Sequence, residues 1–186
     1  MTLTLFANAR IVDGTSAQRP DPVDVLVEDG TIREVGRIAS EKARRIDLAG
    51  RTLMPGLIDA HVHVVAATAD LGRNAMLPDS LVTIRSLAIM KAMILRGFTT
   101  VRDVGGCDQG LRVGAAECEI PTPRLVISGK ALSQTGGHCD FRGRFDDRPT
   151  PDRAFRLGAL GRIVDGVDAV RRAARERLAS SRHLQH

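Results

Sequence analysis

Residues 55–64 read PGLIDAHVHV and place His61 and His63 one residue apart in a chain that has only five histidines. The run after the Pro-Gly turn is apolar and β-branched, which is typical of a buried strand in a parallel sheet. Because side chains alternate along a strand, Asp59, His61 and His63 are expected to share one face. The other face, which is expected to pack, carries Ile58, Ala60, Val62 and Val64. Imidazoles in such a strand need compensation for lost hydration, so the pattern predicts either a divalent metal site or two surface imidazoles on an edge strand.

The composition limits the function classes. The 186 residues are 43% hydrophobic with a mean hydropathy of -0.07, which is typical of a globular chain. The net charge is +5, but the arginines from Arg142 onward are mixed with acidic residues, and aromatic residues make up only 3%. A phosphate track or a base-stacking platform is therefore not expected, and nucleic acid is excluded as a partner.

The cysteines and apolar runs point to the cytoplasm. Cys107, Cys118 and Cys139 are odd in number and lack CxxC spacing, which argues against a disulfide framework and a thiolate zinc site. No stretch has a signal-peptide pattern or the roughly 20 apolar residues of a membrane span. We expect a cytoplasmic protein with no membrane anchor.

Residues 1–54 are predicted to form a small β-sandwich-like subdomain. Asp29-Gly30 lies between two apolar runs, 24–27 and 31–35, which is a strong hairpin signal with Gly30 at positive φ. A second hairpin is predicted between 45–48 and 51–53 around Ala49-Gly50, and residues 3–12 supply a further strand.

After Pro55 the pattern changes to alternating strands and helices. A helix is predicted over 77–96, begun by Pro78-Asp79 and ended by Gly97. Strands are expected over 98–104 and 124–128 with a small helix between them, and a closing helix over 168–178. The expected packing faces of the two long helices are Leu81, Ile84, Leu87, Ala88, Ile94 and Leu95 in the first, and Val170, Ala174 and Leu178 in the second. This alternation indicates an α/β fold with βαβ units.

The segments in this order resemble the amidohydrolase superfamily of metal-dependent hydrolases. They are PGLIDAHVHV (55–64), GFTTVRDVGG (97–106), PRLVISGKALSQTGGHCDFR (123–142) and LGRIVDGVDAVRRAARERL (160–178). The likeness is greatest to imidazolonepropionase-like and prolidase-like members, which cleave amide bonds. The resemblance implies that residues 55–186 form the N-terminal part of a TIM-type (β/α)8 barrel, with its active site at the C-terminal ends of the strands.

The resemblance also implies a site and a substrate class. His61 and His63 would bind a divalent metal, commonly zinc and often a pair of ions, which lowers the pKa of bound water and polarises the scissile carbonyl. The substrate would be a small amide or a dipeptide, including Xaa-Pro. Asp59 is expected to orient an imidazole N–H or to be structural.

Further residues are candidates for the same mouth of the barrel, each with an alternative. His138 either lines the mouth or is a loop histidine exposed to solvent. Asp103 either reaches the mouth or fixes a loop. The connection 139–162 is a candidate lid, and its arginines receive a substrate carboxylate or are simply solvated. These arginines include Arg142, Arg144 and Arg148.

The sequence departs from the family pattern after residue 178. The family's fourth strand carries a metal-bridging lysine, and later strands add two histidines and an aspartate, none of which follows here. His183 and His186 lack strand or helix context as substitutes. Two interpretations stay open: a truncated hydrolase that is inactive alone and needs a complementing C-terminal half, or a non-catalytic remnant that self-associates through its sheet edge as a homo-oligomer.

Overall fold

The computed structural model describes residues 2–15, 22–118, 120–147 and 154–181. The chain divides into two compact units, Met1–Pro55 and Gly56–His186. Across the described ranges, no helix combines the length and apolar character that crossing a bilayer requires.

The first unit is a sheet of five short strands. They are β1 (Leu3–Ile11), β2 (Val23–Glu28), β3 (Thr31–Gly36), β4 (Arg44–Asp47) and β5 (Thr52–Leu53). The order is β3-β2-β1-β4, and β5 also pairs with β1. Because the described residues of this unit form one sheet, a second sheet facing it, as a sandwich needs, stays a prediction.

The hairpin between β2 and β3 is confirmed. The two strands pair antiparallel, and Asp29 and Gly30 have φ values of +46° and +80°. Two successive positive φ angles suit the right-handed twist of the flanking strands, which explains why Asp-Gly occupies the turn.

The second predicted hairpin is wrong. β4 and β5 do not pair with each other, because both lie parallel to β1, opposite 4–7 and 10–11 respectively. The turn at Ala49 and Gly50 instead lies beside a bulge in β1 at Asn8. The Asn8 carbonyl accepts the Gly50 N–H at 2.8 Å. Local turn chemistry therefore predicted the turn correctly but not its strand partner.

The second unit contains the predicted strands and helices, together with one short helix and two short strands that the sequence analysis did not predict. Its elements are β6 (Leu57–Val62), α1 (Leu71–Asn74), α2 (Asp79–Leu95), β7 (Phe98–Asp103), α3 (Gln109–Glu117), β8 (Arg124–Ile127), β9 (Ala131–Ser133), β10 (Gly161–Ile163) and α4 (Val167–Ser181). The unpredicted elements are α1, β9 and β10. β6, β7 and β8 form a parallel sheet in that order, and β9 pairs parallel with β10. One face of the three-stranded sheet packs on helices, with Val101 and Leu125 buried beside Val82, Met90, Leu111 and Ala115.

The bounds of the two long helices agree with the sequence, but their buried faces agree only in part, with Leu87 of α2 packing against the core as predicted. In α2, Val82, Ser86 and Met90 are buried, whereas Ile84 is 65% exposed. Ser86 is tolerated because its hydroxyl donates to the Val82 carbonyl at 2.8 Å. This row of three residues, spaced four apart, is the buried face of α2.

In α4 the predicted face of Val170, Ala174 and Leu178 is exposed, and Ala173 is buried instead. Four residues further along, Arg177 donates to the carbonyls of Ser128 and Lys130. A polar anchor therefore sets the rotation of this helix.

Candidate functional site

The two histidines lie at the end of β6, where a bulge changes the alternation of side chains. Asp59 pairs with Val101 and Val62 pairs with Asp103, so β6 uses one residue more than β7 over this interval. Paired residues of parallel strands point to the same side, which places Asp59 on the helix-packed side with Val62. The prediction that Asp59 shares a face with His61 and His63 is therefore wrong.

The bulge also explains why only half of the predicted packing face is buried: Val62 and Val64 lie in the core as predicted, whereas Ile58 and Ala60 do not. Ile58 pairs with Thr100, one residue before Val101, and therefore lies on the side opposite the helices. It is 71% exposed, and Ala60 is exposed too. Asp59 accepts the backbone N–H of His61 at 3.1 Å, so its carboxylate braces the bulged backbone.

His61 and His63 form a close pair of imidazoles. Their ring centroids are 5.5 Å apart with the planes nearly perpendicular at 81°. His61 is exposed and His63 is half-buried. Nδ1 of His63 lies 3.0 Å from the carbonyl oxygen of Gly105. Since a carbonyl only accepts hydrogen bonds, Nδ1 carries the hydrogen, and Nε2 presents the lone pair that a metal needs.

Asp103 is buried beside this pair, at the end of β7. Its Oδ2 accepts the Val64 N–H at 2.8 Å, and its Oδ1 accepts the N–H groups of Gly105 at 3.0 Å and Cys107 at 3.2 Å. Burial raises the pKa of Asp103, while the three backbone donors act in the opposite direction. The neighbouring Arg102 lies on the other face of the sheet, where its Nε donates to the Ala60 carbonyl at 2.9 Å.

Gly105 gives the His63 ring its space. A Cβ at this position would lie 3.2 Å from Cε1 and 3.3 Å from Nδ1 of His63, and 3.1 Å from the Leu160 carbonyl oxygen. The imidazole therefore packs directly on the glycine backbone. The glycine is needed here for the close approach of the ring.

Asn74 is a buried anchor that the sequence analysis missed. Its amide nitrogen donates to the carbonyls of Val65 at 2.9 Å and Gly158 at 2.7 Å, and its Oδ1 accepts the Ala67 N–H at 3.0 Å. These bonds hold the loop that follows the histidines. An asparagine at the end of a short helix gives no sequence signal for such a role.

Lys130 is a second missed anchor. Its ammonium donates to four backbone carbonyls, those of Gly106 (3.0 Å), Arg156 (2.7 Å), Leu157 (3.2 Å) and Ala159 (2.5 Å). Burial lowers the pKa of Lys130 from 10.5 to about 8. One side chain thus ties the loop after β7 to the segment before β10.

The remaining candidates make contacts of their own in the segment after β9. His138 is exposed after β9, with its ring edge-on to Phe141 at 6.3 Å. Arg142 binds Asp140 through Nε at 2.7 Å and a terminal nitrogen at 2.6 Å, and this guanidinium holds the pKa of Asp140 well below its usual range. Arg144 lies 5.8 Å over the Phe145 ring. Arg148, His183 and His186 lie outside the described residues.

The donor set fits part of a metal site. Two imidazoles, one with its tautomer fixed by a carbonyl, are ligands that zinc accepts. Within the described part of the chain, no group of three or more His, Cys, Asp or Glu side chains is placed to hold a metal ion. His61 and His63 therefore fit as two ligands of a larger set, and Asp59, Asp103 and His138 do not complete it here.

Comparison with known proteins gives a consistent family. The amidohydrolase family matches residues 52–186. The crystal structure of an amidohydrolase superposes with a TM-score of 0.87 at 49% identity, covering 97% of this chain and 45% of that one. A prolidase complexed with N-methylphosphonate-L-proline has the same TM-score and coverage at 43% identity. Dihydroorotase from Pelobacter propionicus is 30% identical over an alignment 150 residues long, which covers 71% of this chain and 34% of that enzyme. The chain thus spans less than half the length of these relatives.

Proposed function

Because the chain belongs to the amidohydrolase family, we propose that His61 and His63 are two metal ligands of a hydrolase that cleaves carbon–nitrogen bonds in small amides or dipeptides, including Xaa-Pro. The observation that carries this proposal is the bond from His63 Nδ1 to the Gly105 carbonyl, which directs Nε2 outward. The amidohydrolase- and prolidase-like structural neighbours support the substrate class.

The proposed cofactor is a divalent ion, zinc by preference, with one or two ions in the complete site. When bound, such an ion lowers the pKa of water and polarises a carbonyl. The chain's own contribution is positional, since His63 is held by Gly105 and His61 extends from the bulge that Asp59 braces.

We assign residues 55–186 to the N-terminal part of a (β/α)8 barrel and residues 1–54 to a β subdomain. His138, in the loop after β9, is proposed to line the mouth where a substrate enters. With two ligands among the described residues, the chain by itself is proposed not to turn over amides.

Isothermal titration with zinc tests the ligand assignment. We expect weak binding by the chain and none by the His61→Ala, His63→Ala double variant. His138→Ala is the matched control, because it removes an exposed imidazole that has no part in the pair. Equal zinc binding by the chain and the double variant would refute the assignment.

An activity assay tests the second part. The chain is incubated with zinc, cobalt or manganese and a panel of N-acyl amino acids and Xaa-Pro dipeptides, with its mass followed by light scattering. Metal-dependent turnover by a monomer, abolished by His61→Ala, would contradict the proposal that this chain is inactive alone.

A non-catalytic, self-associating module is the second candidate. It is favoured by the open face of the parallel sheet, where Ile58 is 71% and Val126 is 49% exposed. Val126 pairs with Arg102, so both apolar side chains lie on the side opposite the helices. A concentration-dependent mass in light scattering, with no zinc binding, would favour this candidate.

A further inference from the structure

We propose that Asp103 is a positioning residue that fixes the tautomer and orientation of the His63 imidazole. The inference rests on the proposed function, in which His63 is a metal ligand. Asp103 does not touch the imidazole through a hydrogen bond. It acts on the backbone at both ends of the contact between His63 and Gly105.

One end of that contact is the backbone that carries His63. Oδ2 of Asp103 accepts the Val64 N–H at 2.8 Å, which belongs to the peptide unit directly after the His63 Cα. The carbonyl of the same peptide unit accepts the Ala66 N–H at 3.0 Å. Both polar groups of the unit are thus bonded, so the direction in which His63 leaves the backbone is fixed.

The other end is the carbonyl that receives the His63 ring hydrogen. Oδ1 of Asp103 accepts the N–H groups of Gly105 and Cys107, on either side of the peptide unit that contains the Gly105 carbonyl. The N–H of that unit, from Gly106, donates to the Gly129 carbonyl at 2.9 Å. The acceptor for Nδ1 is therefore held in place rather than free to rotate.

A carboxylate suits this position better than its amide. All three partners of Asp103 are donors, and a carboxylate is acceptor-only at both oxygens. In Asp103→Asn, the NH₂ group would face a backbone N–H at one of the two ends. Either the Val64 or the Gly105 and Cys107 contacts would be lost without a change in side-chain size.

The first readout needs no metal. In the metal-free, ¹⁵N-labelled chain, a two-bond ¹H–¹⁵N spectrum reports which ring nitrogen of His63 carries the hydrogen, and the signal is assigned by its loss in His63→Gln. We expect the Nδ1–H tautomer in the wild type. In Asp103→Asn we expect a shift toward the mixture of a free imidazole. A side chain that only stabilised the fold would not move this signal in a folded variant.

Asp108→Asn is the matched control. Asp108 lies in the same connection and accepts the Leu111 N–H at 2.8 Å as the N-cap of α3, a role that asparagine also fills. It should leave the His63 tautomer and the zinc affinity unchanged. In Asp103→Asn, zinc affinity measured against a chromophoric chelator should fall about 10- to 100-fold.

The outcomes separate this inference from the proposed function. If the wild type binds no zinc, the metal assignment fails, while the tautomer spectrum still tests Asp103. If Asp103→Asn does not fold, Asp103→Glu is measured instead, because its longer side chain moves the carboxylate away from the three backbone donors. An unchanged tautomer in a folded Asp103→Asn, or in Asp103→Glu where that variant replaces it, would overturn the proposal.

Discussion

Replacing Lys130 with methionine tests whether one buried ammonium holds the two loops of the second unit together. Methionine keeps an unbranched apolar side chain but removes the donor. Four backbone carbonyls would then lose their hydrogen-bond donor at once, those of Gly106, Arg156, Leu157 and Ala159. We expect the free energy of unfolding at pH 7 to fall by about 2–3 kcal/mol.

This magnitude takes the four carbonyls as a group. Leaving one buried hydrogen-bonding group without its partner costs about 1–3 kcal/mol, and carbonyls in loops recover part of that cost from water. Burial lowers the pKa of Lys130 to about 8, so the cost of burying the ammonium offsets part of what its bonds contribute.

The same pKa gives a pH dependence with a definite sign. Because the folded pKa is below the unfolded value, the unfolded chain binds the proton more tightly between about pH 8 and 10.5. Lys130 therefore contributes a rise in the free energy of unfolding with pH across this window, whereas the raised pKa values of Cys107 and Cys139 act in the opposite direction. The difference between the wild type and Lys130→Met should isolate the rise, since both chains keep the cysteines.

Urea unfolding followed by far-UV circular dichroism, at pH 7 and at pH 10, measures both effects. Lys91→Met is the matched control, because Lys91 is exposed on α2 and its loss should change stability by less than about 0.5 kcal/mol. A Lys130→Met chain within that same margin of the wild type at pH 7 would show that the carbonyl contacts contribute nothing net.

Two further substitutions test the turn of the first unit and the second buried anchor. Gly30→Val should destabilise the first unit by about 1 kcal/mol or more, because Gly30 has a φ of +80°. Gly36→Val is its control in thermal melts, because a Cβ there meets open space and the φ of Gly36 is not positive. Equal melting temperatures for Gly30→Val and Gly36→Val would contradict the strain argument. Asn74→Ala should lower the urea midpoint by the equivalent of about 2–3 kcal/mol, because it leaves two carbonyls and one N–H without their partner. Asn74→Asp keeps the acceptor for the Ala67 N–H but loses the donor to the Val65 and Gly158 carbonyls. Wild-type stability in either Asn74 variant would mean that water replaces the asparagine.

The sequence predicted the longer elements of the second unit because their signals are local, but it missed the short elements α1, β9 and β10. Helix α2 begins after Pro78 and ends before Gly97, whose φ of +92° suits the end of a helix. β7 and β8 follow from short β-branched runs. The rotation of each helix was not predictable in this way, because it depends on which row of side chains meets the sheet. In α4 that row includes an arginine.

The histidine pair was predictable from its spacing, but its faces were not. Strict alternation would have kept Asp59 with the imidazoles, and a single extra residue in β6 separated them. A bulge arises from the register between two strands that are about 40 residues apart in the chain. A pattern read along one strand contains no information about that register.

The residues that hold the loops around the site share a feature that hides their bonding partners from sequence analysis. Asp103, Asn74 and Lys130 are polar side chains that satisfy backbone groups rather than other side chains, so no complementary residue type marks their partners. Some partners lie far along the chain: 39 residues for Asp103 and Val64, and 84 for Asn74 and Gly158. Loops at the ends of parallel strands cannot pair their backbone in a sheet, so buried side chains must supply those bonds. The orientation of the two imidazoles therefore depends on residues whose bonding partners only the folded chain shows.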